Sequence, residues 1–369
     1  MRVAMAVVPN RTENLVTAKQ IGVDHIVYYD MHTMPLGPDL KSEVERLRRL
    51  DLNLSVVECG PPIGRIVLGK DGRDRQIEQF KRALHDMGQN GIEILCYNFM
   101  PQVLDDAMVV RTSYATPARG NAPTTAFRMA DVTSATVPHS EASVSVEAMW
   151  DNLEYFLRAI IPAAEGAGVK LAMHPDDPPL SPLCGWNRIM SSVESFDRLI
   201  SISASPVNGI ALCLGCFMEM GEDPVAIAQR FREHIHYLHF RDVAGVTTDF
   251  VETFPDDGPT DFLRIFRALK DLGCKSPIRV DHVPRLAVEG GMNDGYGFLG
   301  HLYATGYLKG LLESVFGKPV LDRWANVLPD QRASAYPGEL RPKYVGGSDN
   351  RRTALEKSAL GPSRPILDL

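Results

Sequence analysis

Four short apolar runs in this chain each end in a residue that can bind a metal. Leu171-Ala172-Met173 ends in His174, which opens the segment His174-Pro175-Asp176-Asp177-Pro178-Pro179. Ile210-Ala211-Leu212 ends in Cys213, His236-Tyr237-Leu238 in His239, and Ile278-Arg279-Val280 in Asp281. Two imidazoles, a thiolate and a carboxylate suit zinc, iron or manganese better than magnesium or calcium, and the thiolate by its softness argues for zinc. Each residue alone also reads as structure: a hydrogen-bonded core histidine, a buried thiol, a salt-bridged aspartate. The Cys213-x-x-Cys216 spacing has no second pair and reads as straddling a strand end and a loop, so it carries little as a redox or zinc motif. The joint pattern of four run ends points to one divalent metal site held by His174, Cys213, His239 and Asp281.

Other polar residues fall at comparable places. Glu58 closes a further run, the third along the chain, and Asn98 the fourth. Arg241 follows His239 by two residues, so strand alternation puts it on the same face, where a guanidinium would grip a carboxylate or hydroxyl-rich substrate or else make a rim salt bridge. Tyr296 lies between Gly295 and Gly297. Near a metal its phenol could have a lowered pKa and act as acid or base; the plainer reading is loop packing. Asp176 and Asp177 read as partners that orient His174, or as caps of the turn that follows.

The elements that must position these residues alternate. Eight β-like runs lie near 2–9, 25–30, 52–59, 91–99, 169–175, 208–215, 235–242 and 277–284. Between them, Ile77, Phe80, Leu84 and Met87 share a helical face with Gly88 following as a stop, and Met149, Leu153, Phe156, Leu157 and Ile160 share another. Asp223-Pro224 predicts an N-cap and first helical residue leading into Val225–Phe231, and Phe262–Leu272 is a helix ended by Gly273. Strand–helix alternation repeated eight times predicts a closed (β/α)8 TIM barrel, an α/β fold whose strand C-termini all face one rim. An open doubly wound sheet is the alternative, but no Gly-x-Gly-x-x-Gly follows the first strand. Residues 1–320 then form one catalytic domain. The polar stretch 101–147, without a clear period, is a lid-like insertion, and 241–260 and the glycine-rich 284–300 are further rim loops. The proline-broken residues 321–369 form a C-terminal extension, extended or partly disordered, with a short helix at 352–360, that wraps the barrel or a second copy in a homo-oligomer.

With 369 residues, 44% of them hydrophobic, the chain can bury a large core. Its net charge of −7, from 39 Lys and Arg against 46 Asp and Glu, and the lack of a basic cluster exclude nucleic acid as a partner. No run reaches the roughly 20 apolar residues of a membrane helix. Met1–Pro9 reads as a first strand, not a signal segment. Six cysteines over this length are no disulfide framework, and the setting expected is reducing and cytoplasmic.

The segments His174-Pro175-Asp176-Asp177-Pro178-Pro179, Cys96-Tyr97-Asn98-Phe99-Met100-Pro101 and Ser55-Val56-Val57-Glu58 resemble those of the mannonate dehydratase family. Leu212-Cys213-x-Gly215, His239-Phe240-Arg241, Asp281-His282, Gly295-Tyr296 and Gly306-Tyr307-Leu308-Lys309-Gly310-Leu311 match in order and spacing, so that the resemblance covers roughly residues 1–315. It implies a barrel of the xylose-isomerase-like kind. It further implies a manganese-type ion, with iron or zinc as the other fits, on His174, Cys213, His239 and Asp281, and dehydration of D-mannonate to 2-keto-3-deoxy-D-gluconate. Tyr296 is by the same match the catalytic tyrosine, with Asp281 taking part; from the residues themselves, Arg241 is a further catalytic candidate, and Glu58, Asn98, His282 and His301 are read as addressing the substrate. The sequence departs from the family in the loop Cys59-Gly60-Pro61-Pro62-Ile63-Gly64-Arg65-Ile66, where a histidine- and lysine-containing segment is usual. It departs again in 102–110, which lacks the usual tryptophan, and at His301, where an arginine is common. The departures fall on substrate-facing loops and leave the metal ligands in place. An isomerase or epimerase of a related sugar, or a non-catalytic barrel with a structural metal, are the other readings of the same residues.

Overall fold

A computed structural model describes residues 1–29, 34–101, 109–132, 144–289 and 295–317. Twelve strands lie among them: β1 (Val3–Ala6), β2 (His25–Tyr29), β3 (Asn53–Glu58), β4 (Ile94–Tyr97), β5 (Ser113–Pro117), β6 (Pro123–Arg128), β7 (Lys170–Met173), β8 (Asn208–Cys213), β9 (Ile235–Phe240), β10 (Asp242–Val246), β11 (Asp249–Thr253) and β12 (Ile278–Val280). Eight of them close a parallel barrel in the order β1-β12-β9-β8-β7-β4-β3-β2. These are the eight runs read from the sequence, and the open-sheet alternative falls with the β1–β12 pairing that closes the ring.

The strands are near-continuous apolar runs because both of their faces are covered. Their outward residues pack with the helices into one large core, in which Phe80 and Phe156 meet edge to face at 5.0 Å. Four of the inward residues are alanines, and Ala4, Ala6, Ala172 and Ala211 leave room for Tyr237 inside the barrel. The helix Arg73–Asn90 runs past Gly88 and ends at Gly91, whose φ of 75° is the left-handed C-terminal conformation. Gly88 is not the stop expected. A Cβ there would stand 2.4 Å from the Ala167 carbonyl oxygen, so this glycine lets two helices touch. The helix Pro224–Phe231 starts as its sequence predicts, with the Asp223 side chain accepting from the Val225 N–H.

The insertion holds more order than its composition suggests. Its described part contributes β5 and β6, which join the hairpin β10–β11 in a four-stranded antiparallel sheet, β10-β11-β6-β5. Half of that sheet comes from the insertion and half from a rim loop more than 100 residues later, so neither segment shows a self-contained pattern. Val110, Phe127, Val243 and Phe250 pack with Leu183 and Trp186 beneath it. The expected tail and its 352–360 helix lie outside the described residues, as do parts of the insertion and of the glycine-rich loop. Among the described residues no helix is long and apolar enough to cross a membrane. All six cysteines are free thiols.

Candidate metal centre and active site

The C-terminal ends of β7, β8, β9 and β12 are neighbours in the barrel, so their last side chains share one corner of the rim. His174, Cys213, His239 and Asp281 each place a donor atom there, all within 4.8 Å of one another. Hydrogen-bond partners assign the ring protons. His174 Nδ1 donates to the Pro175 carbonyl at 2.7 Å, which leaves a lone pair on Nε2. His239 Nε2 faces the Glu58 carboxylate at 3.3 Å, which leaves a lone pair on Nδ1. Those two lone-pair nitrogens stand 3.1 Å apart, with Asp281 Oδ2 at 3.5 Å from His239 Nδ1 and 4.0 Å from Cys213 Sγ.

Such an arrangement is repulsive without a cation between the donors, and it fits one divalent ion. The titration tendencies agree. Burial opposes ionisation of Cys213, yet the neighbouring Cys216, His174 and His239 bring its thiol well below the ordinary value. Burial and the Arg279 charge oppose protonation of His239, yet Asp281 and Glu58 hold its pKa well above the ordinary value, so that a proton is drawn to the place a metal would take.

Beside this corner lies a small cavity lined by Tyr29, Glu58, Asn98, Arg279, His282 and Tyr296 among others. Tyr296 stacks on Tyr29 at 4.5 Å between ring centroids, donates to Asp281 Oδ1 at 3.0 Å and accepts from Arg279 Nη2 at 3.1 Å. Burial raises its pKa well above the usual phenol value despite Arg279, so the protein groups alone do not produce the lowered value expected. Asp281 thus divides its oxygens: Oδ2 faces the other metal-type donors and Oδ1 faces Tyr296. The Asn98 Oδ1 atom is buried with no hydrogen-bond partner among the described residues, an acceptor open to a ligand hydroxyl. Glu58 lines the cavity but is committed: Arg279 Nε at 2.5 Å, Arg279 Nη2 at 2.6 Å and the Tyr237 hydroxyl at 2.6 Å all donate to it. Burial raises its pKa, but Arg279 and His239 overcome this and hold the carboxyl well below the usual range.

Several expected roles change. Arg241 is fully buried and does not line the cavity. Its guanidinium donates to Asp177 Oδ2 at 3.0 Å, to Glu219 and to Cys216 Sγ at 3.4 Å, and lies 3.2 Å from Glu252 Oε1. Protein carboxylates use its donors, and Arg279 is the arginine that meets the cavity. Arg279 precedes Asp281 by two residues on a barrel strand, a spacing that places it inward and that sequence reasoning passed over. Among the described residues the His174 Nδ1 proton goes to the Pro175 carbonyl and not to Asp176 or Asp177. Asp176 instead accepts from the Met190 N–H at 2.7 Å, and burial pushes its pKa up to about 6. Asp177 takes a bidentate pair from Arg111 at 2.7 and 2.9 Å. His301 does not line the cavity. It stacks behind Tyr296 with centroids 5.4 Å apart and bonds the Gly297 carbonyl at 2.9 Å. Arg111, Glu219 and Glu252, none of them singled out in the sequence, complete a buried ion-pair layer under the antiparallel sheet.

The model of the D-mannonate dehydratase (UxuA) family matches residues 1–140 and 128–318. A mannonate dehydratase of Oceanobacillus iheyensis is 34% identical over 336 residues, covering 81% of this chain and 94% of that one. One of Streptococcus equi subsp. zooepidemicus is 32% identical over 317 residues, covering 77% and 86%. The crystal structure of mannonate dehydratase from Streptococcus suis serotype 2 superposes with a TM-score of 0.77 at 29% identity, covering 86% of this chain and 95% of that one. A D-tagatose 3-epimerase-like protein shares the barrel fold at a TM-score of 0.59 and 16% identity.

Proposed function

Because the chain belongs to the mannonate dehydratase family, we propose that it is a hydro-lyase that converts D-mannonate to 2-keto-3-deoxy-D-gluconate and water, with His174, Cys213, His239 and Asp281 holding a manganese ion. One observation carries the assignment of the site: two imidazole lone pairs, a thiol and a carboxylate converge on one point, and one of those ligands also touches a cavity-facing tyrosine. Bound by these residues, the ion would supply Lewis-acid stabilisation of the negative charge that develops on the substrate. A reducing cytoplasm suits the six free thiols.

Dehydration removes the proton on C2, expels the C3 hydroxyl as water and leaves an enol that tautomerises to the 2-keto-3-deoxy acid. Two acid–base groups are required, one for each proton movement. Tyr296 is one: its hydroxyl is held by Asp281 Oδ1 and Arg279, so the proton sits at a fixed atom beside the cavity. His282 is the other, its Nε2 lying 3.9 Å from the same Asp281 oxygen and its ring edge-on to Tyr296 at 5.1 Å. Arg279, fixed by Glu58, offers cationic charge to an aldonate, and Asn98 Oδ1 accepts from one of its hydroxyls. Tyr29 and Tyr296 form one apolar wall that limits water around the reacting carbons. Tyr296→Phe tests this reading: formation of 2-keto-3-deoxy-D-gluconate collapses while metal content stays at the wild-type level. Retained turnover would remove Tyr296 from the mechanism.

A further inference from the structure

The reading above makes His282 an acid–base group but leaves open which ring nitrogen does the work. We propose that Glu252, carried on the antiparallel sheet and not on the barrel, is the positioning residue that fixes a proton on His282 Nδ1 and thereby presents Nε2 to the substrate. This rests on the dehydratase reading and extends it to a residue outside the barrel.

Glu252 Oε1 lies 2.8 Å from His282 Nδ1. A carboxylate can only accept, so at that distance the proton belongs to the nitrogen. Glu252 is fully buried, and every described contact favours its ionised form. Arg111 Nη2 donates to Oε1 at 2.7 Å, Thr125 Oγ1 donates to Oε2 at 2.5 Å, and Arg241 Nη2 stands 3.2 Å from Oε1. Burial raises its pKa, but His282, Arg111 and Arg241 together bring it down to about 2. Arg111 Nη2 also lies 3.3 Å from His282 Nδ1, but that nitrogen already donates to Glu252 at 2.7 Å and to Asp177 Oδ2 at 2.9 Å. The shorter contact to the carboxylate decides the tautomer.

The ring is also held sterically. Gly295 has a φ of 88°, and a Cβ there would fall 2.9 Å from the His282 Cβ, so the tyrosine loop closes directly over the histidine. With Nδ1 committed to Glu252, the nitrogen on the cavity side is Nε2. An aspartate or glutamate that holds the far nitrogen of a catalytic imidazole fixes both its tautomer and its aim. Here that carboxylate comes from β11, while Arg111 and Thr125, which hold it, come from the insertion. The antiparallel sheet therefore reaches the chemistry without touching the substrate.

The test uses the manganese-loaded full chain, with Glu252→Gln and Glu252→Ala compared with wild type on D-mannonate. We expect kcat to fall about 10-fold in E252Q and about 100-fold in E252A, with KM and metal per chain unchanged. Proton NMR of the wild type carrying diamagnetic zinc in place of manganese shows a protected downfield ring N–H that is absent in His282→Asn and displaced in E252Q. Wild-type kcat in E252Q, a loss confined to KM or to metal content, or an N–H resonance unmoved by E252Q would overturn the proposal. If E252A does not fold, the near-isosteric E252Q and the wild-type resonance still decide it. If the wild type yields no product from D-mannonate, the dehydratase reading fails, and the resonance alone judges the Glu252–His282 pair.

Discussion

Two clusters of metal-type donors sit side by side at this barrel rim, and in only one of them does a single guanidinium lie against every member. His174, Cys213, His239 and Asp281 turn lone pairs and negative charge toward a common point. Asp177, Cys216 and Glu219 bring comparable donors equally close together. In the second cluster the Arg241 guanidinium lies against all three, so the charge is already balanced by the protein. An arginine in such a place cannot lose its proton, gives fixed directions and leaves no open position for a ligand. The first cluster is suited to recruit an exchangeable ion, and the second ties the antiparallel sheet to the barrel. Donor type and proximity do not separate a metal site from a structural ion-pair cluster; a guanidinium that spans all the donors, as Arg241 does, marks the second kind. Cys213 and Cys216, three residues apart, fall on opposite sides of that division.

That contrast can be broken from either side. The largest effect is expected from Arg241→Met, which leaves Asp177, Glu219 and Glu252 buried without their shared cation. Removing one partner of such a buried network costs about 3–5 kcal/mol, read by urea unfolding, while the ion at the neighbouring site is retained. Wild-type stability would mean that Arg241 does not balance the cluster. Cys213→Ser comes next. It removes a thiolate, so manganese per chain drops and turnover falls about 100-fold, a change of roughly 2.7 kcal/mol in activation free energy. Metal analysis and kinetics on one preparation check both. The smallest effect belongs to Cys216→Ser, with metal content unchanged and turnover within about threefold, since replacing one small buried group costs little when its neighbours keep their partners. Equal losses in C213S and C216S would erase the distinction between the clusters.

The barrel and the metal-type corner were legible for a physical reason. A parallel strand buried on both faces must be a continuous apolar run, so a His, Cys or Asp at its end stands out, as His174 and Asp281 do. Arg279 did not stand out because an arginine inside Ile278-Arg279-Val280 looks like an interruption of the run; only its two-residue offset from Asp281 marks it as inward-facing. Glu252 and Arg111 were hidden by topology. They meet only because β6 pairs with β11, a contact between segments more than 100 residues apart that no local period announces. Of the two readings of Arg241, a grip on the substrate and a salt bridge, its ion pairs fit the second. Alternation gives the direction of a side chain but not the carboxylates that other elements bring to it, here Asp177, Glu219 and Glu252.

The most direct measurement strips the protein of metal, titrates it with manganese in the presence of D-mannonate, and follows 2-keto-3-deoxy-D-gluconate. The account predicts that product formation rises with manganese and saturates at one ion per chain. Manganese bound at one per chain with no product formed, or product formed equally well by the stripped protein, would contradict it.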